Sequence, residues 1–430
     1  MQDRAARDDR ALQMFATLLD GAHLAPPDQL PGVIAAAASA AGWSTSLYVV
    51  DYEQRRLVGM GPSGTGSFLS VDGTVAGRAF RELRPTPAPG EPSRMWVPVI
   101  DGVERLGVLD VHLATGTDAG SVVRDRGMLE HLRLFAHLVG HLLGSKAPYG
   151  DAFHRARLRR DRTVESELVW SLLPPLTVAC HGIVIAGLLE PHHAVAGDVF
   201  DYSVDHEIAH TAILDATGHD LHSGVIGAIS LAAYRNSRRR SHDLDETVAN
   251  VDATLEEFGA DTYATGVFTQ LDLQTGLLRY VNAGHPAPLL MRGAKVTKEL
   301  DRGRRRLLGL PSPTDAIGTE QLEAGDWVVL YTDGVIEARD EDGAFFGIER
   351  FVDVIERRAA AREPAPETLR GILHTIMDHQ RGVLQDDATL VVVQWASRLE
   401  AALDSGGGLS GEAPGTMRAT GMPAGGQLEA

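Results

Sequence analysis

Apolar runs that stop at a carboxylate restrict what this chain can fold into more than any other feature. Residues 327–331 (Trp, Val, Val, Leu, Tyr) run into Thr332, Asp333 and Gly334; residues 209–214 end at Asp215, shortly before Gly218; Asp386 and Asp387 precede the run 388–394. Each run is too short for an ordinary helix and is rich in β-branched, leucine or aromatic residues, so each is expected to be a buried strand. Asp198, within Gly197, Asp198, Val199, Phe200 and Asp201, makes a fourth place of the same kind. A single Asp-Gly after a strand is an ordinary turn. Several carboxylates gathered at strand ends repel one another unless a proton or a cation lies between them, and oxygen-only ligands favour a hard ion such as Mg²⁺ or Mn²⁺.

The motifs follow a known order. Leu172, Leu173 and Pro174; Gly197 to Asp201; Asp215, Ala216, Thr217, Gly218 and His219; Tyr280, Val281, Asn282, Ala283, Gly284, His285 and Pro286; Leu330, Tyr331, Thr332, Asp333, Gly334 and Val335; and Asp386, Asp387, Ala388, Thr389 and Leu390 span roughly half the chain. Residues 168–396 thereby resemble the metal-dependent serine/threonine protein phosphatases (PPM, or type 2C), specifically the bacterial branch of the sporulation stage II E and sigma-regulator phosphatases. The resemblance implies an α+β fold, a sandwich of antiparallel sheets flanked by helices, holding two Mn²⁺ or Mg²⁺ ions. It assigns Asp215 to the bridging position, the carbonyl of Ala216 to one metal, and Asp198, Asp333 and Asp387 to the remaining ligands, with Asp215, Asp333 and Asp387 as the catalytic set. Two cations ~3.5–4 Å apart can activate a water and neutralise phosphate oxygens, so no protein nucleophile is required. Cys180 lacks the Cys-x5-Arg loop of a thiol phosphatase.

Several positions depart from the family pattern. Ala196 and Asp220 stand where glycines are usual, and Ala216 where many relatives carry Gly or Val, which a backbone ligand tolerates. The general-acid histidine of eukaryotic members falls in register with Thr217, not His219, and their phosphate-binding arginine has no match.

The chain of 430 residues exceeds one core and implies two domains. A formal charge of −18 argues against nucleic acid or acidic membranes as partners of the whole chain. One cysteine, a charged start and no apolar run near ~20 residues lead us to expect a cytoplasmic protein without a signal peptide or membrane span.

Residues 11–147 are expected to form an α/β sensor domain. Helices are predicted over 11–19 and 30–41, strands over 45–51, 95–100 and 105–113, with a hairpin turn at Asp101 and Gly102 and a turn feeding a short helix over 71–80. Trp96 to Ile100 followed by Leu106 to Val111 resembles a GAF domain, which implies a small-molecule ligand, although the cyclic-nucleotide signature is missing. His131, His137 and His141 share a predicted helix without a third ligand at metal spacing, and are expected to be surface or capping groups. Met128, Leu132, Phe135, Val139 and Leu142 follow heptad spacing, which packing within the monomer or a homodimer would satisfy. Residues 148–175 are read as a helical linker, with one helix over 153–173 stopped by Pro174 and Pro175 and the arginines 155–162 on a solvated face.

From residue 176 to 397 the pattern is strands at 183–189, 199–204 and 209–215, helices at 221–239 and 244–258, a three-strand meander over 264–292, the strand 327–331, helices at 348–361 and 367–379, and the strand 388–394. Residues 398–430, glycine-rich and poor in large apolar groups, are expected to be a disordered tail. The expected function is a sensor-regulated phosphoserine/phosphothreonine phosphatase acting on a phosphorylated anti-anti-sigma-type protein. The alternatives are a catalytically silent signalling scaffold, and a His-Asp phosphodiesterase built on His219, Asp220, His242 and Asp243, which lacks the further histidines such a site needs.

Overall fold

The computed structural model describes residues 2–396 except 62–63, 160–161, 181, 191–196, 219–220, 260–261, 311, 313–316 and 383. The tail 398–430, Ala196, His219 and Asp220 lie outside the described residues.

The N-terminal unit is built on a six-stranded antiparallel sheet in the order Gly64–Ser70, Arg56–Gly61, Ser44–Val50, Glu104–His112, Arg94–Asp101 and Thr86–Pro87. Alternation sorts its side chains onto two faces. Leu47, Val49, Val97, Val99, Leu109 and Val111 pack under helices Gln2–His23, Leu30–Ala40 and Arg126–Lys146. Val50, Trp96 and Val108 face the other way, onto helix Val75–Glu82 and Phe80. The first helix starts at Gln2, well ahead of the predicted 11–19.

The heptad-spaced residues settle within this unit. Leu132, Phe135, Val139 and Leu142 are buried, with Met128 half-buried against the same cluster. Their apolar face is covered by the chain's own sheet, so the homodimer expectation loses the residues it rested on. Seven-residue spacing describes any helix with one apolar stripe, and a sheet covers that stripe as well as a second helix does.

The linker also differs from expectation. Two short helices, Ala152–Arg157 and Val164–Leu172, replace the single one. Leu158 leaves the first in extended conformation and Thr163 caps the second by accepting from the N–H of Ser166. The reason lies in a knot of rings and cations that a straight helix could not make. The guanidinium of Arg157 lies 4.3 Å from the Tyr52 ring and that of Arg162 lies 4.0 Å from Tyr52 and 4.2 Å from Trp170. His154 bridges the Tyr52 hydroxyl and the Glu167 carboxylate. Two of the arginines read as solvated are thus stacked on aromatic faces.

The C-terminal unit is a sandwich of two six-stranded sheets. One contains Arg304–Arg305, Leu277–Ala283, Ala264–Asp272, Ile208–Ala216 and Asp198–Asp205 in that order, with Gly318–Gln321 also paired to Leu277–Ala283. The other runs Lys295–Glu299, Leu289–Arg292, Trp327–Tyr331, Ala388–Trp395, Ile183–Glu190 and Thr177–Cys180. Helices Leu221–Arg239 and Leu244–Phe258 pack with the first sheet, and Ile348–Ala360 and Ala365–His379 belong to the second. The predicted meander is broken: Leu289–Arg292 crosses to the second sheet. Asn282 redirects the chain, accepting from the N–H of His285 and donating to the carbonyls of His285 and Pro286, while Gly284 takes φ +69.

The two units meet through buried charge. Arg105 donates to Glu367 (3.1 Å), to Gln54 (2.6 Å) and to the carbonyl of Pro366. Arg370 forks onto Glu367 and onto Asp72. Burial would raise the Glu367 carboxyl, but Arg370 and Arg105 outweigh it and hold the group below its ordinary value. Such a group contributes stability that is present above its unfolded pKa and lost as pH falls through its folded one. Glu367→Ala leaves two buried guanidiniums short of their shared partner, and at neutral pH should cost about 3 kcal/mol, measured by urea denaturation. A change under ~0.5 kcal/mol would mean the junction is wet and loosely held.

Candidate active site

Strand pairing alone brings the first two carboxylates together. Asp198 opens one strand, Asp215 lies near the end of its antiparallel neighbour, and the register sets them directly opposite each other. Like charges in that position destabilise a sheet. The second sheet delivers the rest from the same end: Asp333 starts the short helix Asp333–Ile336 after Trp327–Tyr331, and Asp387 immediately precedes Ala388–Trp395.

Close backbone approach holds the two sheets in this relation. The N–H of Gly197 donates to Asp387 Oδ2 at 2.7 Å. A methyl on Gly197 would stand 2.7 Å from the carbonyl oxygen of Ala216, and one on Gly334 would overlap the carbonyl of Asp387. Both glycines are therefore steric requirements of the carboxylate cluster. Thr332 and Thr389, which the sequence reading passed over, donate their hydroxyls to Asp198 Oδ2 at 2.8 and 2.6 Å. The N–H of Thr389 in turn donates to the Thr332 hydroxyl. Their signal in the sequence is adjacency: one immediately precedes Asp333 and the other lies two residues after Asp387.

The electrostatics of the cluster are dominated by burial and like charge. Burial, then Asp215 and Asp387, push the Asp198 carboxyl well above its ordinary value, against the two threonine hydrogen bonds. Burial, then Asp333, Asp386 and Asp387, push Asp215 up to about 8. Asp333 rises by burial and by the charges of Asp386 and Glu337. The groups that set these shifts are carboxylates, hydroxyls and backbone N–H groups, with no cationic side chain among them. A divalent cation fits that deficit and that donor set. Among the described residues no three such groups already converge on one ion position, so the ligands are gathered without forming a closed cage. Asp386, counted among the strand-end carboxylates but not among the expected ligands, joins the cluster and accepts from the N–H of Asp387.

Other expected groups fall elsewhere. Asp201, in the same motif as Asp198, pairs with Arg235 and Arg238 on helix Leu221–Arg239. Three residues along a strand reverse the face. His285 is buried, bonded to the Thr265 hydroxyl at 2.7 Å and lowered by burial to about 3, so it is neutral. His242 contacts Asn250 and Asp243 caps Leu244–Phe258, which makes that pair structural. His131 and His141 face separate carboxylates, Asp8 and Asp101. Cys180 sits at the other end of the sheet from Asp387, with its thiol raised by burial.

Residues 205–396 match the family described as Stage II sporulation protein E (SpoIIE). The C-terminal unit is a SpoIIE/PP2C-type phosphatase domain. Over 132 residues the chain is 29% identical to Protein IcfG of Synechocystis sp., covering 30% of this chain and 20% of that one. Over 212 residues it is 24% identical to Phosphoserine phosphatase RsbU of Bacillus subtilis, covering 49% and 62%. The chain thus spans less than two thirds of either relative. The SiaA-PP2C domain of Pseudomonas aeruginosa aligns over 54% of this chain and 94% of its own, at 21% identity and a TM-score of 0.46. The phosphatase-domain match begins after Asp198, whose place at the site rests on strand register.

Two outcomes follow for the cluster. Asp333→Asn should keep the far-ultraviolet circular dichroism of the wild type and lose most Mn²⁺-dependent turnover; wild-type turnover would remove Asp333 from the site. In chelator, the raised carboxyls hold protons that the unfolded chain has lost, so stability should fall as pH climbs from about 5 towards 8. Added Mn²⁺ should raise the melting temperature more at pH 8 than at pH 6, as read by scanning calorimetry.

Proposed function

We propose that this chain is a divalent-metal-dependent phosphoserine/phosphothreonine protein phosphatase regulated by its N-terminal domain. The observation that carries this reading is the set Asp198, Asp215, Asp333 and Asp387, buried or half-buried and gathered from both sheets, in which Asp198, Asp215 and Asp333 are raised by burial and by neighbouring carboxylates. Asp215 and the Ala216 carbonyl, with Asp198, Asp333 and Asp387, would hold two Mn²⁺ or Mg²⁺ ions. When bound, such ions lower the pKa of a water and neutralise phosphate oxygens. The chain's own part is positional. Thr332 and Thr389 fix one oxygen of Asp198, the N–H of Gly197 fixes one of Asp387, and the absent Cβ atoms of Gly197 and Gly334 let the strand ends approach. No side-chain nucleophile is needed, and Cys180 lies far from the cluster.

The substrate we infer is a phosphorylated anti-anti-sigma-type protein of a partner-switching pathway. A relative named as a phosphoserine phosphatase supports the chemistry. The division is a sensor at 11–147, extended by its first helix, a linker at 148–175 and the phosphatase at 176–397. The sheet order and helix placement support a GAF-like reading of the sensor. A cavity of about 210 Å³ bounded by Arg7, Arg10, Trp43, Met128 and His131 offers room for a small ligand.

Regulation has a route. Helix Ala365–His379, gripped by Arg105 and Asp72 of the sensor, is followed in the chain, after residues 380–385, by Asp386 and Asp387. The sensor turn also reaches the same helix through Arg55 on Met377 and through the carbonyl of Glu53 on His374. Hydrolysis of p-nitrophenyl phosphate should require Mn²⁺ or Mg²⁺ and stop with chelator; metal-independent turnover, or none with either ion, would overturn the assignment. In the same assay Asp72→Ala should shift the Mn²⁺ concentration for half-maximal rate by at least threefold. An unchanged value would make the sensor a passive neighbour.

A further inference from the structure

We propose that Arg302, Arg304 and Arg306 form a recognition ridge for a phosphoprotein carrying acidic side chains some three to five residues from its phosphorylated group; the proposal rests on the phosphatase reading above. Arg304–Arg305 pairs in parallel with Asn282 and Ala283 at the edge of the first sheet. Further along, Leu308 bridges to Ala264, itself the strand partner of Ala216. The segment therefore runs along the sheet edge towards the end where the carboxylates gather.

Its side chains divide by alternation. Arg305 turns to the helical side and pairs with Asp252, whose other oxygen accepts from the N–H of Gly309. With Leu308 buried, these contacts are enough to anchor the segment. Arg302, Arg304 and Arg306 are exposed, and among the described residues none has a carboxylate within ion-pair distance. Arg304 stands near enough to the Tyr331 phenol to oppose the rise imposed by burial and by Glu299. Tyr331 ends the strand that delivers Asp333.

Reach and charge choose the partner. Asp215 pairs with Thr265, and the next residue, Gly266, pairs with Ala283, the partner of Arg305; three strand spacings of about 4.8 Å, roughly 14 Å, therefore lie between, which an extended peptide covers in about four residues. A guanidinium ridge matches carboxylates in paired hydrogen bonds. In a chain of net charge −18 that otherwise repels an acidic partner, it would supply local attraction and orientation. Residues 300–310 hold no aromatic side chain on which bases could stack, which disfavours single-stranded nucleic acid.

The test uses the full chain and the triple variant Arg302→Gln, Arg304→Gln, Arg306→Gln. Two phosphoserine peptides differ only in carrying Glu or Gln at the third to fifth positions on both sides. In wild type, kcat/KM should favour the Glu peptide at least tenfold at low salt, and the ratio should shrink as salt rises. In the variant the ratio should fall to near one. No preference in wild type, or an equal preference in both proteins, overturns the ridge. Failure of wild type to hydrolyse p-nitrophenyl phosphate with Mn²⁺ or Mg²⁺ overturns instead the phosphatase reading. In that event fluorescence anisotropy of the Glu peptide in chelator still reads the ridge: equal binding by both proteins overturns it, as does tighter wild-type binding of oligo-dT than of the peptide.

Discussion

Repulsion between carboxylates is the constraint on which the catalytic half depends. Setting Asp198 directly opposite Asp215, with Asp333 and Asp387 arriving from the second sheet, places like charges in a poorly solvated gap. An isolated hairpin with that register would be disfavoured. The sandwich tolerates it because the remainder of the same strands is apolar and buried: Ile213, Leu214, Val199, Phe200, Val329, Leu330, Val391 and Val392 belong to one continuous core. The apolar strands fix the backbone, the backbone fixes the carboxylates, and the residual electrostatic cost becomes affinity for a cation. Threonine hydroxyls and a glycine N–H hold individual oxygens in place but leave the negative charge uncancelled.

A second concentration of buried charge joins the two units, and its balance is the opposite. Glu367 lies between Arg105 and Arg370, and Asp72 completes the pairing from the N-terminal unit. Here each charge has a partner, so the arrangement specifies one docking geometry while adding little net stability over an apolar contact. Its position matters more than its strength. The helix it grips precedes Asp386 and Asp387 in the chain, and Glu104 of the N-terminal unit accepts from the N–H of Thr177 at the first strand of the C-terminal unit. The N-terminal unit thus contacts the sandwich at two places through hydrogen bonds and ion pairs, without a continuous linker helix.

Much of this was legible in the sequence. The apolar runs predicted the strands Trp327–Tyr331 and Ala388–Trp395 and helices Leu221–Arg239 and Leu244–Phe258 to within a residue at either end. Local period and turn chemistry determine those, and the order of the aspartate motifs pointed to the type of domain before any coordinates. What lay beyond reach was partnership. The spacing of Leu132, Phe135, Val139 and Leu142 could not say whether the apolar stripe meets a sheet or a second chain, because burial is non-directional. The arginine-rich linker looked like a solvated helix until Tyr52, about 100 residues earlier, supplied a ring to stack on. Thr332, Thr389 and Asp386 join the site only because antiparallel register sets distant strand ends side by side. Sequence by itself determined which residue types would stand at the strand ends; tertiary structure alone decided which of them face one another, since contacts between strands far apart in the chain leave no local period to read.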